Sequence, residues 1–113
     1  MNATSLAPGL VCWAYLDPAV GREQSGRRPV LVVSNHDYLD VIAALVIVMP
    51  ITSQHRGWSN HVAVDPPTLL DRPSWVMTEQ VRTISRNRVQ SPIGLVSPEC
   101  VAEVRLWLRD FTA

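Results

Sequence analysis

Two apolar runs rich in β-branched residues constrain the fold of this chain more than any other feature. They occupy residues 30–33 and 41–49, with the sequences VLVV and VIAALVIVM. Because β-branched side chains pack well on a pleated surface, both runs are predicted to be central strands. A polar loop at residues 17–28 precedes the first run, and Thr52, Ser53 and Gln54 follow the second. The two strands are therefore expected to hold polar side chains at their ends.

The remaining segments predict further short strands separated by turns. We expect strands at residues 10–16, 61–64 and 93–96, and one strand with a bend at residues 75–84. Residues 35–40 are predicted to form a polar turn, and residues 54–60 an exposed loop. Pro66, Pro67 and Pro73 bracket a connector that has room for one helical turn. Many short strands in succession are typical of a small β-barrel.

One clear helix is predicted, at the C-terminal end of the sequence. Ser97 suits the N-cap, Pro98 the first helical position, and Glu99 the positive end of the helix dipole. The apolar residues that follow at helical spacing are Val101, Val104, Trp107, Leu108 and Phe111. The expected fold class is therefore mainly β (α+β), a small barrel followed by one α-helix.

Composition places the chain among globular proteins and leaves any polyanion site to local clustering of charge. The 113 residues suffice for one domain, predicted to span residues 1–113, with 47% hydrophobic and 18% charged residues. The ten basic residues are all arginines, and the formal net charge is zero. Overall charge therefore gives no reason by itself to expect nucleic-acid binding.

Cysteine usage and hydropathy favour a cytoplasmic protein without a membrane segment. Cys12 and Cys100 show neither the spacing of metal ligands nor a disulfide framework, so we expect buried, reduced thiols. The first residues lack the basic region and apolar core of a signal peptide. The run at residues 41–49 is far shorter than the about 20 residues needed to span a bilayer. We expect neither a metal site nor a cofactor.

Arginine side chains cluster next to the first central strand. Arg27 and Arg28 end the polar loop, which also contains Arg22 and Glu23. A guanidinium group stays charged and fits phosphate oxygens through a planar fork of donors. Arg28 lies between a glycine-containing loop and a buried strand, which gives it the rigid base that a functional arginine needs. The alternative interpretation of Arg28 is a solvated turn arginine.

Four motifs, spread over nearly the whole chain, give the sequence a family resemblance. They are Gly9-x-x-x-Trp13, Gly21-x-Glu23-Gln24-x-Gly26-x-Arg28-Pro29, Pro50-x-Thr52-x-Gln54 and Glu79-Gln80-Val81-Arg82-Thr83-Ile84. With these motifs the chain resembles the MazF/PemK family of toxin endoribonucleases from bacterial type II toxin–antitoxin systems. The resemblance implies an SH3-like β-barrel with a C-terminal α-helix, in agreement with the strand and helix pattern.

The resemblance assigns catalytic positions to three residues. Arg28 occupies the position of the family's catalytic arginine. Thr52 occupies that of its catalytic threonine, although a threonine at a strand end is by itself more typical of a turn-capping hydroxyl. Glu23 is expected to position Arg28 or to accept the proton of a ribose 2′-hydroxyl, and the alternative is a solvated loop glutamate.

A further set of polar and aromatic residues is expected to contact RNA. Trp58 lies in a polar loop, where it can stack on an unpaired base or fold back as a lid on the barrel. Arg82, with Arg86 and Arg88 nearby, can form a phosphate-steering patch or a solvated surface. The expected RNA-binding residues are Gln24, Arg27, Ser53, Gln54, Trp58, Gln80 and Arg82.

The function implied by the resemblance is metal-independent cleavage of single-stranded RNA that leaves a 2′,3′-cyclic phosphate and a 5′-hydroxyl. A cognate antitoxin and a homodimer are implied as partners. His36, His55 and His61 are interpreted as solvated, because the family mechanism does not require histidine. One alternative function is a non-catalytic toxin of the same fold that binds and poisons DNA gyrase, and another is a peptide-binding SH3-like module.

Overall fold

The computed structural model describes residues 5–16 and 26–113. Within these segments, seven strands and two α-helices follow one another along the chain. They are β1 (Leu10–Tyr15), β2 (Arg27–Val32), α1 (His36–Val41), β3 (Leu45–Thr52), β4 (His61–Ala63), β5 (Trp75–Met77), β6 (Arg82–Ser85), β7 (Val89–Leu95) and α2 (Pro98–Thr112). Short 3₁₀ turns lie at Pro67–Leu69, Thr78–Gln80 and Arg86–Arg88.

The strands form one antiparallel sheet in which β3 is central. The order is β4-β5-β3-β2-β1-β7, and β6 pairs with the first half of β3 on the same side as β5. The mainly β fold with a C-terminal helix is thus confirmed. Closure into a barrel is not: in the described part of the chain no ladder joins β4 to β7, so the sheet stays open.

The core lies on both faces of this sheet because successive strand residues point to opposite faces. One cluster contains Cys12 and Ala14 of β1 and Val46 and Val48 of β3, and Leu39 of α1 packs with them. The other cluster takes the alternate residues of the same strands, and α2 covers it. It includes Val11, Leu31, Met49, Ile51, Cys100 and Val104. Burial on both faces explains why the strand segments are continuously apolar.

Helix α1 corrects the predicted polar turn at residues 35–40 and the start of the second apolar run. Asn35 is its N-cap and accepts a hydrogen bond from the backbone N–H of Tyr38 at 2.8 Å. Leu39 of this helix is buried in the core, while Val41 is 76% exposed. An apolar anchor and a capping side chain favour a helical turn here, so β3 begins only at Leu45.

The predicted bent strand at residues 75–84 is two strands. β5 pairs with the end of β3, where Trp75 lies opposite Thr52, and β6 pairs with its start, where Ile84 lies opposite Val46. The 3₁₀ turn Thr78–Gln80 moves the chain from one pairing to the other. The last strand, predicted at residues 93–96, is β7 (Val89–Leu95), and its ladder with β1 is irregular near Pro92. A proline cannot donate to a ladder, which suits this edge strand.

Helix α2 begins as predicted. The Ser97 hydroxyl accepts a hydrogen bond from the backbone N–H of Cys100 at 3.1 Å, and Pro98 is the first helical residue. Cys100 and Val104 face the core, whereas Phe111 is 52% exposed and lies outside it. Cys12 and Cys100 are free and buried, as expected. None of the helices in the described ranges has the length and apolarity to span a bilayer.

Candidate functional site

A cavity of about 540 Å³ opens where the start of β2, the end of β3 and the connector after β4 meet. We call it the Arg28 cavity. Its polar and aromatic wall consists of Trp13, Arg28, Ser53, Asp71, Arg72 and Ser74. Apolar side chains such as Ile51 and Leu69 complete the lining. The cavity therefore combines cationic donors, a hydroxyl group and an aromatic face.

Arg28 is held at the wall of the cavity by the β1–β2 ladder. It lies opposite the buried Ala14 and just before Pro29 and the buried Val30. Gly26 precedes the strand with a φ of 74°, a backbone conformation that glycine adopts without strain. The rigid base predicted for Arg28 is therefore present, and its half-buried side chain lines the cavity.

Arg27 lies beside Arg28 but makes different contacts. Its guanidinium carbon is 4.2 Å from the centroid of the Trp13 ring, which is itself part of the cavity wall. Its Nε donates a hydrogen bond to Oε1 of Gln90 at 2.8 Å. Arg27 is exposed, so the stacking fixes its position while its remaining donors can still contact a phosphate.

Thr52 ends β3 and is only 6% exposed. Its Oγ1 accepts a hydrogen bond from the backbone N–H of Gln54 at 3.1 Å, which is the turn-capping role that its position alone suggested. The hydroxyl proton can still be donated, because a threonine hydroxyl combines one donor with two acceptor sites. Ser53, the next residue, is exposed and lines the Arg28 cavity.

One network of contacts joins the 54–60 loop to the turn Thr78–Gln80. It brings together three of the predicted RNA-binding residues, Gln54, Trp58 and Gln80. Arg56 donates to Oε1 of Gln54 at 3.1 Å, and its guanidinium carbon lies 5.8 Å from the Trp58 ring centroid. Both Arg56 and Gln80 donate to the sulfur of Met77, at 3.9 and 3.7 Å. The loop thus presents amide, guanidinium and aromatic groups side by side.

A buried histidine and a carboxylate anchor this loop. Nε2 of His61 lies 3.0 and 3.1 Å from the carboxylate oxygens of Glu79, and Asn60 donates to the same carboxylate at 2.8 Å. The Trp58 ring packs against the His61 ring with centroids 4.8 Å apart. The buried Thr78 hydroxyl donates to the Asn60 carbonyl at 2.8 Å. Trp58 therefore stays 50% exposed above a fixed support.

This anchor affects the pKa of Glu79 and the burial of His61. Burial alone raises the pKa of Glu79, but hydrogen bonds from His61, from its own backbone and from Asn60 outweigh burial and leave that pKa lowered. The interpretation of His61 as solvated is wrong, since only 2% of its side chain is exposed. It is buried because Trp58 covers it and a carboxylate satisfies Nε2. The position of His61 at the start of a predicted strand was the available signal.

Some contributors to the site were missed by the sequence argument. Trp13 belonged to a motif but had no assigned role, and Asp71 and Arg72 lay in a connector noted only for its prolines. The ring of His55 stacks on Trp75 with centroids 4.7 Å apart, so His55 supports the 54–60 loop at its other end. The contact of His55 with Trp75 is not local in sequence, which is why no spacing pattern indicated it.

The predicted arginine patch divides in the structure. Arg82 is half-buried on β6 opposite Val48. Arg86 donates from its guanidinium to the carbonyl of Leu45 at 2.9 Å, to that of Ile42 at 2.8 Å, and to that of Leu39. Those carbonyls lie at the end of α1 and the start of β3, so the Arg86 side chain is engaged in holding these elements.

Several predicted residues lie outside the described segments, namely Arg22, Glu23 and Gln24. Across residues 5–16 and 26–113, no three His, Cys, Asp or Glu side chains are grouped as metal ligands. The guanidinium groups of the described residues can recognise a polyanion, and the aromatic surfaces can receive flat apolar groups.

Comparison with known proteins agrees with this chemistry. The family model described as PemK-like, MazF-like toxin of type II toxin–antitoxin system matches residues 7–112. Endoribonuclease EndoA of Bacillus subtilis is 36% identical over 99 residues, which cover 85% of this chain and 84% of that relative. Endoribonuclease MazF of Staphylococcus saprophyticus is 33% identical over 99 residues, covering 85% and 82%.

Solved structures show the same fold. MazF from Deinococcus radiodurans superposes with a TM-score of 0.81 at 27% identity, covering 94% of each chain. A chain from a MazE–MazF complex of the same organism superposes with a TM-score of 0.75 at 28% identity, again covering 94% of each chain.

Proposed function

The chain belongs to the family of PemK-like, MazF-like toxins of type II toxin–antitoxin systems, and we propose that this MazF-type endoribonuclease cuts single-stranded RNA without a metal ion. The observation that carries the proposal is the position of Arg28, fixed on a strand at the wall of a cavity that Ser53 and Trp13 share. A phosphate seated there meets a permanent cation and a hydroxyl group, with an aromatic face beside them.

The proposed reaction is an in-line transfer within the RNA itself. The ribose 2′-oxygen forms a bond to phosphorus while the bond from phosphorus to the 5′-oxygen breaks. The products are a 2′,3′-cyclic phosphate and a 5′-hydroxyl. Because the nucleophile comes from the substrate, the protein has to align the backbone and to neutralise charge that develops on the phosphate.

Arg28 has the electrostatic part of this task. Its guanidinium group would donate to the non-bridging oxygens, whose negative charge grows in the transition state. A guanidinium deprotonates only at very high pH, so Arg28 is not the general base. We assign that role to Glu23, which would take the 2′-hydroxyl proton, while water protonates the departing 5′-oxygen. Thr52 would use its remaining hydroxyl proton to hold a phosphate oxygen.

The 54–60 loop would determine which bases are accepted. Trp58 offers a half-exposed ring on which an unpaired base can stack. Gln54 and Gln80, gathered beside Arg56, offer amide groups that can pair with base edges. Arg27 and Arg82, with Gln24 of the segment that precedes β2 in the sequence, would contact the sugar–phosphate backbone. The sequence cut would then follow from the shape of this loop.

Two protein partners complete the proposal. Solved MazE–MazF complexes exist for relatives of this chain, and we infer that a cognate antitoxin blocks the Arg28 cavity with carboxylates that imitate phosphates. We also infer a homodimer, because Leu95, Leu106 and Phe111 are 60%, 55% and 52% exposed, and exposed apolar side chains favour association. We place the enzyme in the cytoplasm, where RNA and antitoxin are made.

The deciding experiment is incubation of the pure protein with a long RNA in excess EDTA, followed by end-group analysis. We expect cleavage that leaves cyclic phosphate and 5′-hydroxyl ends. Arg28→Ala should lower the rate about 10²–10³-fold, as loss of one transition-state donor typically does. Arg109→Ala, which removes an exposed arginine from the last turn of α2, is the matched control and should cleave normally.

Four results would contradict the proposal. Products with 5′-phosphate ends, or activity that returns only with Mg²⁺, would exclude the in-line mechanism. A folded Arg28→Ala variant with normal turnover would remove Arg28 from the site. A protein that inhibits DNA gyrase and leaves RNA intact would be the non-catalytic alternative of the same fold.

A further inference from the structure

A second depression, of about 460 Å³, lies between strands β4 and β5 and the first turns of α2. We call it the acidic groove. It shares no lining residue with the Arg28 cavity. Its titratable and aromatic lining residues are His61, Asp65, Trp75, Glu99, Cys100 and Glu103. The groove is therefore a separate site on the described part of the protein.

The described lining of the groove is negatively charged. It includes Asp65, Glu99 and Glu103, and none of the described arginines belongs to it. Among the described residues, none of the ion pairs involves these three carboxylates. Glu99 and Glu103 are four positions apart on α2, an arrangement in which like charges destabilise a helix. A bound cation would relieve this repulsion.

The negative charges of the groove also affect the pKa of the Cys100 thiol. Its pKa is raised, chiefly by burial. A hydrogen bond with the backbone of Asp65 opposes this rise, while the nearby negative charges of Asp65 and Glu103 add to it. The carboxylates thus act on one point from two elements, the segment after β4 and helix α2. All three carboxylate residues are exposed, so salt screens part of their field.

A second, independent observation points to a hydrogen-bond donor as the ligand. His61 lines the groove and only 2% of its side chain is exposed. Its Nε2 lies 3.0 Å from a Glu79 carboxylate oxygen, and in the neutral imidazole whose Nε2 donates to that oxygen, Nδ1 is an acceptor. Nδ1 is buried and has no hydrogen-bond partner among residues 5–16 and 26–113. A buried acceptor without a donor is costly.

The aromatic wall of the groove favours a guanidinium group over an ammonium group. Trp75 lines the groove and is half-buried, with His55 stacked on it at 4.7 Å. A guanidinium group stacks on an indole face and offers a planar fork of five donors, whereas an ammonium group is a compact, strongly hydrated point charge. Three carboxylates, a free acceptor and an indole face together suit a guanidinium group.

We propose that the acidic groove binds the guanidinium group of an arginine side chain that a partner polypeptide presents. A polypeptide fits better than a free small molecule because β4 is the end strand of the sheet in the described residues, and Ala63 of β4 lines the groove. An extended segment can add to the outer edge of such a strand and place its side chain in the groove.

Binding in the groove would be felt by the 54–60 loop. His61 and Trp75 line the groove, and the same two rings support Trp58 and His55 of the loop. An arginine drawn towards Nδ1 of His61 would therefore change the environment of the Trp58 ring as well. The inference does not depend on the proposed ribonuclease activity, since it concerns binding alone.

The test is an NMR titration of the full-length, ¹⁵N-labelled protein with L-argininamide. We expect saturable shifts at the amides of Ala63 and Cys100 and at the indole N–H groups of Trp75 and Trp58. L-citrullinamide, which has a similar shape but a neutral ureido group in place of the guanidinium group, should leave them unchanged. Glu99→Gln combined with Glu103→Gln should weaken binding at least about tenfold, and added salt should weaken it further.

Controls separate this site from general attraction of cations. Asp110→Asn, an exposed carboxylate near the other end of α2, should bind argininamide like the unmodified protein. Asp65→Asn provides a second groove variant if the double variant loses its amide dispersion, and it should weaken binding too. Equal shifts with citrullinamide, equal shifts with Mg²⁺ at the same concentration, or no shifts at all would overturn the proposal.

A peptide arm tests the nature of the partner. The extended peptide acetyl-Val-Arg-Val-amide should bind at least about fivefold more tightly than argininamide, because main-chain hydrogen bonds to β4 add to the side-chain contacts. The same peptide with citrulline in place of arginine should not bind. If the arginine peptide binds no more tightly than argininamide, the occupant is not an extended polypeptide.

Discussion

Replacement of Arg86 by alanine separates a structural arginine from a phosphate-binding one. Helix α1 has six residues, too few to be stable alone, and no basic residue in its last turn. Arg86 supplies donors to the carbonyls of Leu39, Ile42 and Leu45 from 41 to 47 residues away in the chain. Arg86→Ala should therefore loosen α1 and the start of β3.

The expected magnitude follows from the exposure of these bonds. A hydrogen bond from a charged group contributes about 1.5–3 kcal/mol when it is protected from water. Only the bond to Leu39 is part-buried, whereas water can replace the exposed bonds to Ile42 and Leu45. We expect a loss of about 2 kcal/mol in the free energy of unfolding. For a domain of 113 residues this corresponds to a fall in melting temperature of about 8 °C.

Thermal unfolding followed by circular dichroism measures this change, and RNA cleavage is assayed at 25 °C, where the variant is still folded. Arg86→Ala should cleave RNA at nearly the normal rate per folded molecule. Arg109→Ala, exposed on α2, is the matched control for loss of one positive charge and should change the melting temperature by less than about 2 °C. An Arg86→Ala variant that melts normally but has lost most of its cleavage would refute the structural role and make Arg86 a phosphate contact.

Three further predictions concern the 54–60 loop and the core. Trp58→Ala should weaken RNA binding by about 1–3 kcal/mol through loss of base stacking, while Val41→Ala, which truncates an exposed apolar side chain of α1, should not; equal effects in a binding titration would exclude stacking on Trp58. Because the folded-state pKa of Glu79 is lowered, its carboxylate stabilises the fold above its ordinary pKa of 4.5, and this contribution disappears as the pH falls through the lowered value. The stability advantage of the unmodified protein over Glu79→Gln in urea should therefore shrink as the pH falls from neutral to below 4.5, and an advantage that does not change with pH would contradict the assignment. Burial raises the pKa of Cys12 to about 11, so a thiol reagent at mildly alkaline pH should label this residue only after denaturant is added; rapid labelling of the native protein would show that β1 opens readily.

The positions of the central strands and of the last helix could be predicted because their signals are local. β-branched runs favour strands wherever they pack, and the capping hydroxyl of Ser97 acts on an amide three residues away. The placement of Arg28 could be predicted for the same reason, since a turn followed at once by a buried strand fixes its base. Helix α1 was not predicted because its anchor, Leu39, packs into a core cluster that several other strands form. No local pattern shows this contact.

The division of residues 75–84 into β5 and β6 shows a second limit of the sequence. Both parts contain β-branched residues that favour a strand, and the break at Thr78–Gln80 depends on which half of β3 each part pairs with. The expected closure of the sheet into a barrel met the same limit, because it too depends on strand pairing. Strand count and strand length suggest a barrel, but closure depends on whether the two edge strands meet, and β4 and β7 of the described chain do not.

The sequence by itself determined the chemical inventory of this protein: its arginines, its strand-forming runs, its helix cap and its family. Only the tertiary structure decided how those groups are used. It engaged Arg86 with backbone carbonyls, buried His61 against Glu79, and left Arg28 at the wall of a cavity. The physical reason is that a side chain's role depends on burial and on its partner, and here the partners come from elements that are distant in the chain.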